Sequence, residues 1–492
     1  MRAGFLFIIL AFLASLCYVV WHLWRITPGG WPARLVVSGL FLLWMVLSFA
    51  NMGLSEKVSV RTASVMADVG YPWMIAFLYL LLAFLLADIL SLCKVIPKAF
   101  LTGSLAGLLS VIGIVALVLL SGGIHYRHKH REELIIHTDK PLGKSLTVVL
   151  ASDLHVGYGN RRAELSRWID LINSEHPDLV LFGGDIVDMR LRPILEGGYA
   201  GEFRRLEAPA FAVLGNHEYY GNEKDAERFY ADAGITLLRD SVARFMGLDV
   251  IGRDDRTNRE RKALSDLAVP QRDFTILLDH QPSHLEEAEE AGIDFQFSGH
   301  THHGQVWPLS WVTDALFEKA HGYHSRGGTQ YYVSSGLGIW GPKIRIGTRS
   351  EYLVLHIESG SYTRPAELLG PDGPMELTAT YYPSPSDVPG CFGVISHTDG
   401  RDVFTSMWLD FYARDDVKPG EELSFERLSF SAPLSSDSHS YTDSYTGRMI
   451  LKEKTGDRVV IRMEDVQFSI LHGEYTLDGD LPATVKDSEG GD

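Results

Sequence analysis

Cysteine is rare in this chain, with three in 492 residues. Cys17 and Cys93 fall in apolar N-terminal sequence, which leaves Cys391 alone in everything that follows. That excludes a disulfide-stapled scaffold, and in the later part it excludes a thiolate zinc site. Cationic charge is also scarce beyond residue 140. Residues 141–360 carry 23 Lys/Arg against 32 Asp/Glu, and residues 361–492 carry 11 against 24. Nucleic-acid binding draws its affinity from Lys and Arg that neutralise phosphates, so this acidic balance argues against such a partner. Hydrophobic residues make up 46% and charged residues 22%, which excludes wholesale disorder, and the length calls for more than one folding unit.

Charge of either sign is missing from residues 3–24, 35–55, 69–87 and 99–124. Each stretch is near or above the ~20 apolar residues that a helix needs to cross ~30 Å of hydrocarbon. Trp21, Trp24, Trp31, Tyr71 and Trp73 stand at their edges, where amphipathic rings favour the membrane interface. A cleaved signal peptide does not fit the first stretch, which is too long, lacks a small-residue cleavage site and has three similar stretches behind it. The expectation is a multi-pass anchor over residues 1–125 with both ends on one side. Arg2, Lys57, Arg61, Arg127, Lys129 and Arg131 lie on that side, against Arg25, Arg34, Lys94 and Lys98 opposite. Six against four places the remainder of the chain in the cytoplasm by the positive-inside rule. The run from His125 to Arg131 opens a basic juxtamembrane linker, residues 126–143. Two readings stand for it: attraction to anionic membrane lipids, and a plain topology determinant.

After Gly143 short apolar runs alternate with amphipathic stretches. Leu146–Ala151 reads as a buried strand that breaks into Ser152-Asp153-Leu154-His155. Residues 161–175 place Leu165, Trp168, Ile169 and Ile172 at helical spacing. Leu179–Phe182 runs into Gly183-Gly184-Asp185 and on to Asp188, and residues 210–214 lead into Gly215-Asn216-His217-Glu218. Residues 274–278 run into Asp279-His280, and 295–297 into Ser298-Gly299-His300-Thr301-His302-His303. Five times an apolar strand stops and a loop opens with Asp, Asn or His. In open α/β sheets ligands gather outside the carboxyl ends of strands, so loops spread over about 150 residues can meet at one site.

Asp153, His155, Asp185, Asn216, His280, His300 and His302 form a set of nitrogen and oxygen donors without a thiolate, which suits Mn, Fe or Zn. One ion needs three or four such ligands. Seven is the number expected for two divalent ions sharing a carboxylate, the arrangement that clamps the attacking and leaving oxygens of a phosphoryl displacement. An isolated histidine is more often a satisfied loop or core residue, but five loops repeating one pattern are not explained that way. No Gly-x-Ser-x-Gly elbow is present, and Gly183-Gly184 reads as close backbone approach, not a nucleotide fingerprint.

Asp-x-His, Gly-Asp-x-x-Asp, Gly-Asn-His-Glu, a lone downstream His and Gly-His-Thr-His occur in the order found in the calcineurin-like metallophosphoesterases. With Ser335-Gly336-Leu337-Gly338 and residues 342–347, the chain resembles the membrane-anchored bacterial branch of that superfamily over roughly residues 144–358. The resemblance implies an α/β fold, a β-sandwich flanked by helices. It implies one metal on Asp153, His155 and His302, another on Asn216, His280 and His300, and Asp185 bridging both. It implies that hydroxide between the two ions attacks a phosphomonoester, phosphodiester or pyrophosphate, and that His217 protonates the leaving oxygen or steadies the phosphate. Asp188 then orients metal ligands and Glu218 supports His217, both one layer out. His303 stands where that branch often has glycine; substrate contact and a spectator surface position are both open.

Residues 361–492 show no helical period. Val459, Ile461 and Met463 alternate with polar residues, and Pro-Gly and Asp-Gly turns punctuate short runs, which predicts a small all-β domain, a sandwich or barrel of unassigned role. Residues 435–443 read as a polar loop and 486–492 as a frayed tail. The leading reading is a membrane-anchored phosphoesterase. The anchor makes a phospholipid, a lipid-linked sugar pyrophosphate or a lipid A precursor a candidate substrate. The alternative is a non-catalytic scaffold that keeps the fold for binding at the membrane. A transporter is disfavoured, since no charged pair lies within the four stretches to suggest a permeation path.

Overall fold

The computed structural model describes residues 2–138, 140, 142, 144–267 and 273–359. Beyond 359 it describes residues 367–370, 373–382, 391–396, 406–411, 420, 422, 425–431, 439–442, 445–454, 458–470 and 473–485. Two compact units result, Met1–Ser359 and Gly360–Asp492.

The first unit opens with α1 (Arg2–Ile26), α2 (Trp31–Leu54), α3 (Val60–Gly70), α4 (Pro72–Leu92) and α5 (Leu105–Arg127). Among the described residues four segments are long and apolar enough to span a bilayer: Gly4–Ile26, Trp31–Leu54, Val60–Leu92 and Leu105–Arg127. This is an integral, multi-pass membrane protein. The span expected from residue 99 starts later, because Ser104 caps α5 by accepting from the Gly107 N–H at 3.0 Å. The third apolar stretch is preceded by the separate short helix α3, and Pro72 opens α4 at a position where its missing N–H costs nothing.

An α/β core follows. Its strands are β1 (Lys129–Thr138), β2 (Leu146–Ala151), β3 (Leu179–Phe182), β4 (Ala210–Ala212), β5 (Thr236–Leu237) and β6 (Ser241–Phe245), then β7 (Leu248–Gly252), β8 (Phe274–Leu278), β9 (Phe295–Ser298), β10 (Gly322–Arg326), β11 (Thr329–Val333) and β12 (Ser350–Ser359). Its helices are α6 (Arg162–Asn173), α7 (Arg192–Glu196), α8 (Ala200–Phe203), α9 (Asn216–Gly221), α10 (Glu223–Ala233), α11 (Glu286–Glu290) and α12 (Leu309–Leu316). Two six-stranded mixed sheets run in the orders β1-β12-β2-β3-β4-β5 and β10-β11-β9-β8-β7-β6.

The strands are apolar on both faces because both are covered. Val148, Leu150, Leu179 and Leu181 point into the sandwich against Ile276, Leu278, Phe295 and Phe297. Their neighbours Val149, Ala151, Val180 and Phe182 point the other way, onto Leu165, Ile169 and Ile172 of α6 and Phe229 of α10. On the far sheet Ile251 and Leu277 meet Leu285 and Ala288. Strands β2, β3, β4 and β5 are mutually parallel, as are β7, β8, β9 and β11. Their carboxyl ends therefore deliver the polar loops to one edge.

The segment 126–143 is more than a linker: most of it is β1, paired in parallel with β12 as Leu134↔Leu355 and Ile136↔Ile357. Leu134 and Ile136 join the sandwich core, while Arg131, Glu133, Ile135 and His137 alternate outward with the period of a strand.

In the second unit nine strands are described: β13 (Glu367–Gly370), β14 (Gly373–Tyr382), β15 (Cys391–Ser396), β16 (Ser406–Phe411), β17 (Phe425–Ser431), β18 (His439–Thr442), β19 (Tyr445–Lys454), β20 (Arg458–Ile470) and β21 (Gly473–Val485). They form one sheet, β18-β17-β16-β15-β14-β13-β21-β20-β19, antiparallel apart from a β14–β21 pairing. Met449, Ile461 and Met463 are buried there. The polar loop 435–443 lies outside the described residues except for β18, and the tail 486–492 lies outside them entirely.

Candidate metal centre

Asp153 and His155 follow β2, Asp185 follows β3, Asn216 and His217 open α9 after β4, His280 follows β8, and His300 and His302 follow β9. Asp153, His155, Asp185, His300 and His302 all have positive φ, between 45° and 70°. Left-handed backbone is uncommon outside glycine, though Asp and His tolerate it better than most, and its clustering is common at functional sites. Here it turns each side chain back over the strand end. Gly215 and Gly299 clear the space: a Cβ on Gly215 would collide with the Asp185 carboxylate, and one on Gly299 with Ser152 and Asp153.

All seven side chains predicted as ligands are brought together. Nε2 of His155 is 3.1 Å from Nε2 of His302, 3.6 Å from Asp185 Oδ2 and 3.8 Å from Asp153 Oδ1. His302 Nε2 lies 3.5 Å from Asp153 Oδ1, and His280 Nε2 lies 3.3 Å from Asp185 Oδ2. Nδ1 of His300 is 2.7 Å from Asn216 Oδ1. Donor atoms converge within 4.8 Å in three groups: Asp153, His155 and His302; His155, Asp185 and His217; Asp185, His280 and His300. Asp185 is shared by the last two groups and His155 by the first two. Proximity alone thus also admits His217, whose Nδ1 is 3.1 Å from Asp188 Oδ1.

The donor set fits two divalent cations, by the disposition of its own polar atoms. His280 Nδ1–H donates to the Gly183 carbonyl at 2.7 Å, which fixes the ring and leaves the buried Nε2 turned to the Asp185 carboxylate at 3.3 Å, with no other partner among the described residues. A histidine ligand is oriented in this way, one nitrogen held and the other free. Asp153 and Asp185 are both fully buried carboxylates. Burial would raise them, but the imidazoles of His302 and His155 around Asp153, and of His280 and His155 around Asp185, outweigh it and hold both below the usual carboxylate range. Burial pushes His302 down to about 3, leaving its ring neutral as a ligand must be.

The flanking predictions fare differently. His217 is buried, which disfavours its charge, yet the Asp188 hydrogen bond and the Asp185 carboxylate raise its pKa. Glu218, expected to support His217, accepts from Val187 N–H at 3.0 Å, Gly215 N–H at 2.9 Å and the Tyr230 hydroxyl at 2.8 Å, and its charge also favours a proton on His217. It ties the Asp185 loop to the Asn216 loop. His303 lies outside the three groups; its Nε2 is 3.2 Å from Asp314 and its ring stacks on His321 at 4.8 Å.

Two supporting residues were given no role by the reading of motifs, although Arg345 lies in the run 342–347 that carries the resemblance. The Asn160 amide donates to the carbonyls of Leu154 and Ile339 at 2.9 Å and of His155 at 3.2 Å, and its oxygen accepts from Tyr126 of α5 at 2.8 Å. The buried Arg345 guanidinium donates to the carbonyls of His302 at 2.8 Å, Ser335 at 2.5 Å and Gly338 at 3.0 Å. Apart from the Tyr126 hydroxyl their partners are main-chain groups, which leave no side-chain motif.

Residues 146–304 match the model of the calcineurin-like phosphoesterase family, and they follow the N-terminal set of membrane helices. Among curated relatives, an uncharacterised metallophosphoesterase of Helicobacter pylori is 33% identical over 234 residues, 46% of this chain and 63% of the relative. A zebrafish (Danio rerio) transmembrane protein with a metallophosphoesterase domain is 28% identical over 298 residues, 54% of this chain and 66% of the relative. The chain thus spans less than two thirds of the length of the Helicobacter protein it matches.

Proposed function

We propose that this protein hydrolyses a phosphoester with a pair of divalent metal ions held by Asp153, His155, Asp185, Asn216, His280, His300 and His302. The observation that carries the reading is the shared Asp185, 3.6 Å from one metal-facing imidazole, His155, and 3.3 Å from another, His280. Two such ions, when bound, lower the pKa of water and neutralise charge on the attacking and leaving oxygens.

The chain's own residues supply the rest. Asp188 and Asp185 favour a proton on His217, so its imidazolium is a donor for the leaving oxygen, a role typically worth ~10²–10⁴-fold. His280 is kept in one orientation by Gly183, and the His302 loop is held by Arg345. The substrate class is a phosphomonoester, phosphodiester or pyrophosphate. A lipid-linked substrate is favoured by the short path from membrane to site: Tyr126 of α5 bonds Asn160, which bonds the His155 carbonyl. The excess of basic residues on the catalytic side supports a cytoplasmic face.

The test is turnover of bis(p-nitrophenyl) phosphate by full-length protein loaded with Mn²⁺. Activity is expected in the parent and abolished by Asp185→Asn, with metal content falling in parallel. A metal-free parent without turnover against a panel of nucleotide and lipid phosphoesters would favour the scaffold reading.

A further inference from the structure

Helix α12 carries its apolar side outward. At ~100° per residue, Trp311, Ala315, Val312, Leu316 and Leu309 occupy one arc of about 160°, and Ser310, Thr313 and Asp314 the opposite one. On the polar side Ser310 is buried and Thr313 partly so, while Asp314, 53% exposed, reaches His303 at 3.2 Å. Trp311 is 65% exposed and Leu316 74%, with Val312, Leu309 and Trp307 also open. A surface helix in water turns its apolar stripe to the core, so this one is inverted. The patch is contiguous, unlike the scattered apolar residues of an ordinary surface.

The chain enters this helix from within the membrane bundle. Residues 55–71 lie on the catalytic side, since Arg192 donates to the Glu56 carbonyl at 3.1 Å and Arg161 pairs with Asp68. Tyr79 is therefore seven residues inside α4 from its catalytic-side end at Pro72, about 10 Å along the helix at 1.5 Å per residue. Its hydroxyl donates to the Trp307 carbonyl at 2.6 Å. Gly122, five residues or about 8 Å inside α5, accepts at its carbonyl from the Arg345 N–H at 3.0 Å. Val306 and Ile344 are buried among transmembrane side chains. Interfacial helices bury their apolar faces ~5–10 Å into the headgroup and acyl boundary, and tryptophan concentrates there. Trp307 and Trp311, with ring centroids 5.4 Å apart, fit that layer.

We propose that α12 and Trp307 are embedded in the bilayer interface, with lipid as the partner that covers this face. The occupant follows from continuity with the lipid-exposed bundle into which the preceding residue packs. The inference does not depend on catalysis, but it bears on access to the site. Phe317, just past α12, has its ring centroid 6.1 Å from that of His300, so a single short helix separates the metal centre from the headgroup layer.

The experiment uses full-length protein in phosphatidylcholine–phosphatidylglycerol vesicles. Val312→Cys, and separately Leu316→Cys, is labelled with bimane after Cys17, Cys93 and Cys391 are changed to serine. Arg228→Cys, on α10 and 79% exposed, is the reference. Expected is at least threefold stronger quenching at 312 and 316 than at 228 by lipid carrying a nitroxide near the glycerol, and at least threefold weaker quenching by iodide. Iodide quenching at 312 and 316 equal to that at 228 overturns the proposal. So does shielding from both quenchers, which would mean that protein covers the helix.

Discussion

Oδ1 of Asp188 lies 3.1 Å from Nδ1 of His217, so one of the two ring nitrogens is engaged outside the metal groups. The backbone N–H of His217 donates to Asp185 Oδ1 at 2.9 Å, which ties the same residue to the shared carboxylate. If His217 supplies the leaving-group proton, its removal matters most where the leaving oxygen is basic. His217→Ala is expected to slow cleavage of an alkyl phosphoester by about 10²–10⁴-fold and of a p-nitrophenyl ester distinctly less. Asp188→Asn should follow the same ordering with a smaller loss. Equal losses across a series of leaving groups would assign His217 to metal binding instead.

Metal removal gives a second expectation. Exhaustive chelation should abolish turnover and lower the melting temperature, and added Mn²⁺ should restore both. A ligand present at a hundred times its Kd adds about 2.7 kcal/mol of stability. Asp185→Asn should lose most of that metal-dependent rise, which differential scanning fluorimetry would detect.

Gly215 offers a test of close approach without backbone strain. Its φ is −108°, which alanine adopts freely, but the added Cβ would collide with the Asp185 carboxylate. Gly215→Ala should therefore cut metal content and activity at least tenfold, comparable to the ~10–100-fold typical when groups around a metal ligand are disturbed. Far-UV circular dichroism should be unchanged.

Arg345 holds three carbonyls of the His302 and Gly336 loops in a buried setting. Arg345→Met strands those acceptors, and each buried group left unpaired costs about 1–3 kcal/mol. The expected outcome is a fall in unfolding free energy of about 3 kcal/mol or more, measured by denaturant titration, together with weaker metal retention. An unchanged denaturation midpoint would contradict it.

Glu351 predicts a pH dependence remote from the ligands. Burial would raise its carboxyl, but His321 at 3.0 Å, the Ser335 N–H at 3.0 Å and Arg349 at 3.4 Å hold it below the ordinary glutamate value. A depressed folded-state pKa contributes stability that is present above the unfolded value, about 4.3, and lost as pH falls through the folded value. Glu351→Gln should thus melt earlier than the parent at pH 7, by an amount worth about 1–3 kcal/mol. The gap should narrow as the pH falls below about 4.3 and close once it passes the lower, folded-state value, and a gap independent of pH would sink the assignment.

Much of the centre was legible because each ligand follows directly on an apolar run. Asp153 stands two residues past β2, and His280 two past β8, so the strand pattern located the loops and the loops carried the donors. β1 was obscured by the charges of Lys129, Arg131, Glu132 and Glu133, which hide the inward alternation of Leu134 and Ile136. Asn160 and Arg345 act on main-chain carbonyls, for which no residue spacing is diagnostic. Glu218 was placed correctly beside the site, but its partners, the N–H groups of Val187 and Gly215 and the Tyr230 hydroxyl, come from three separate segments.

The amino-acid order by itself determined where the chain crosses the membrane, where strands end and which donors stand there, because these depend on local hydropathy and residue type. Tertiary structure alone decided that His155 and His302, 147 positions apart, face each other at 3.1 Å. It alone decided that α12 points its apolar side away from the core. A pattern of spacing records that a helix has two faces; only packing against the membrane bundle settles which one the protein keeps.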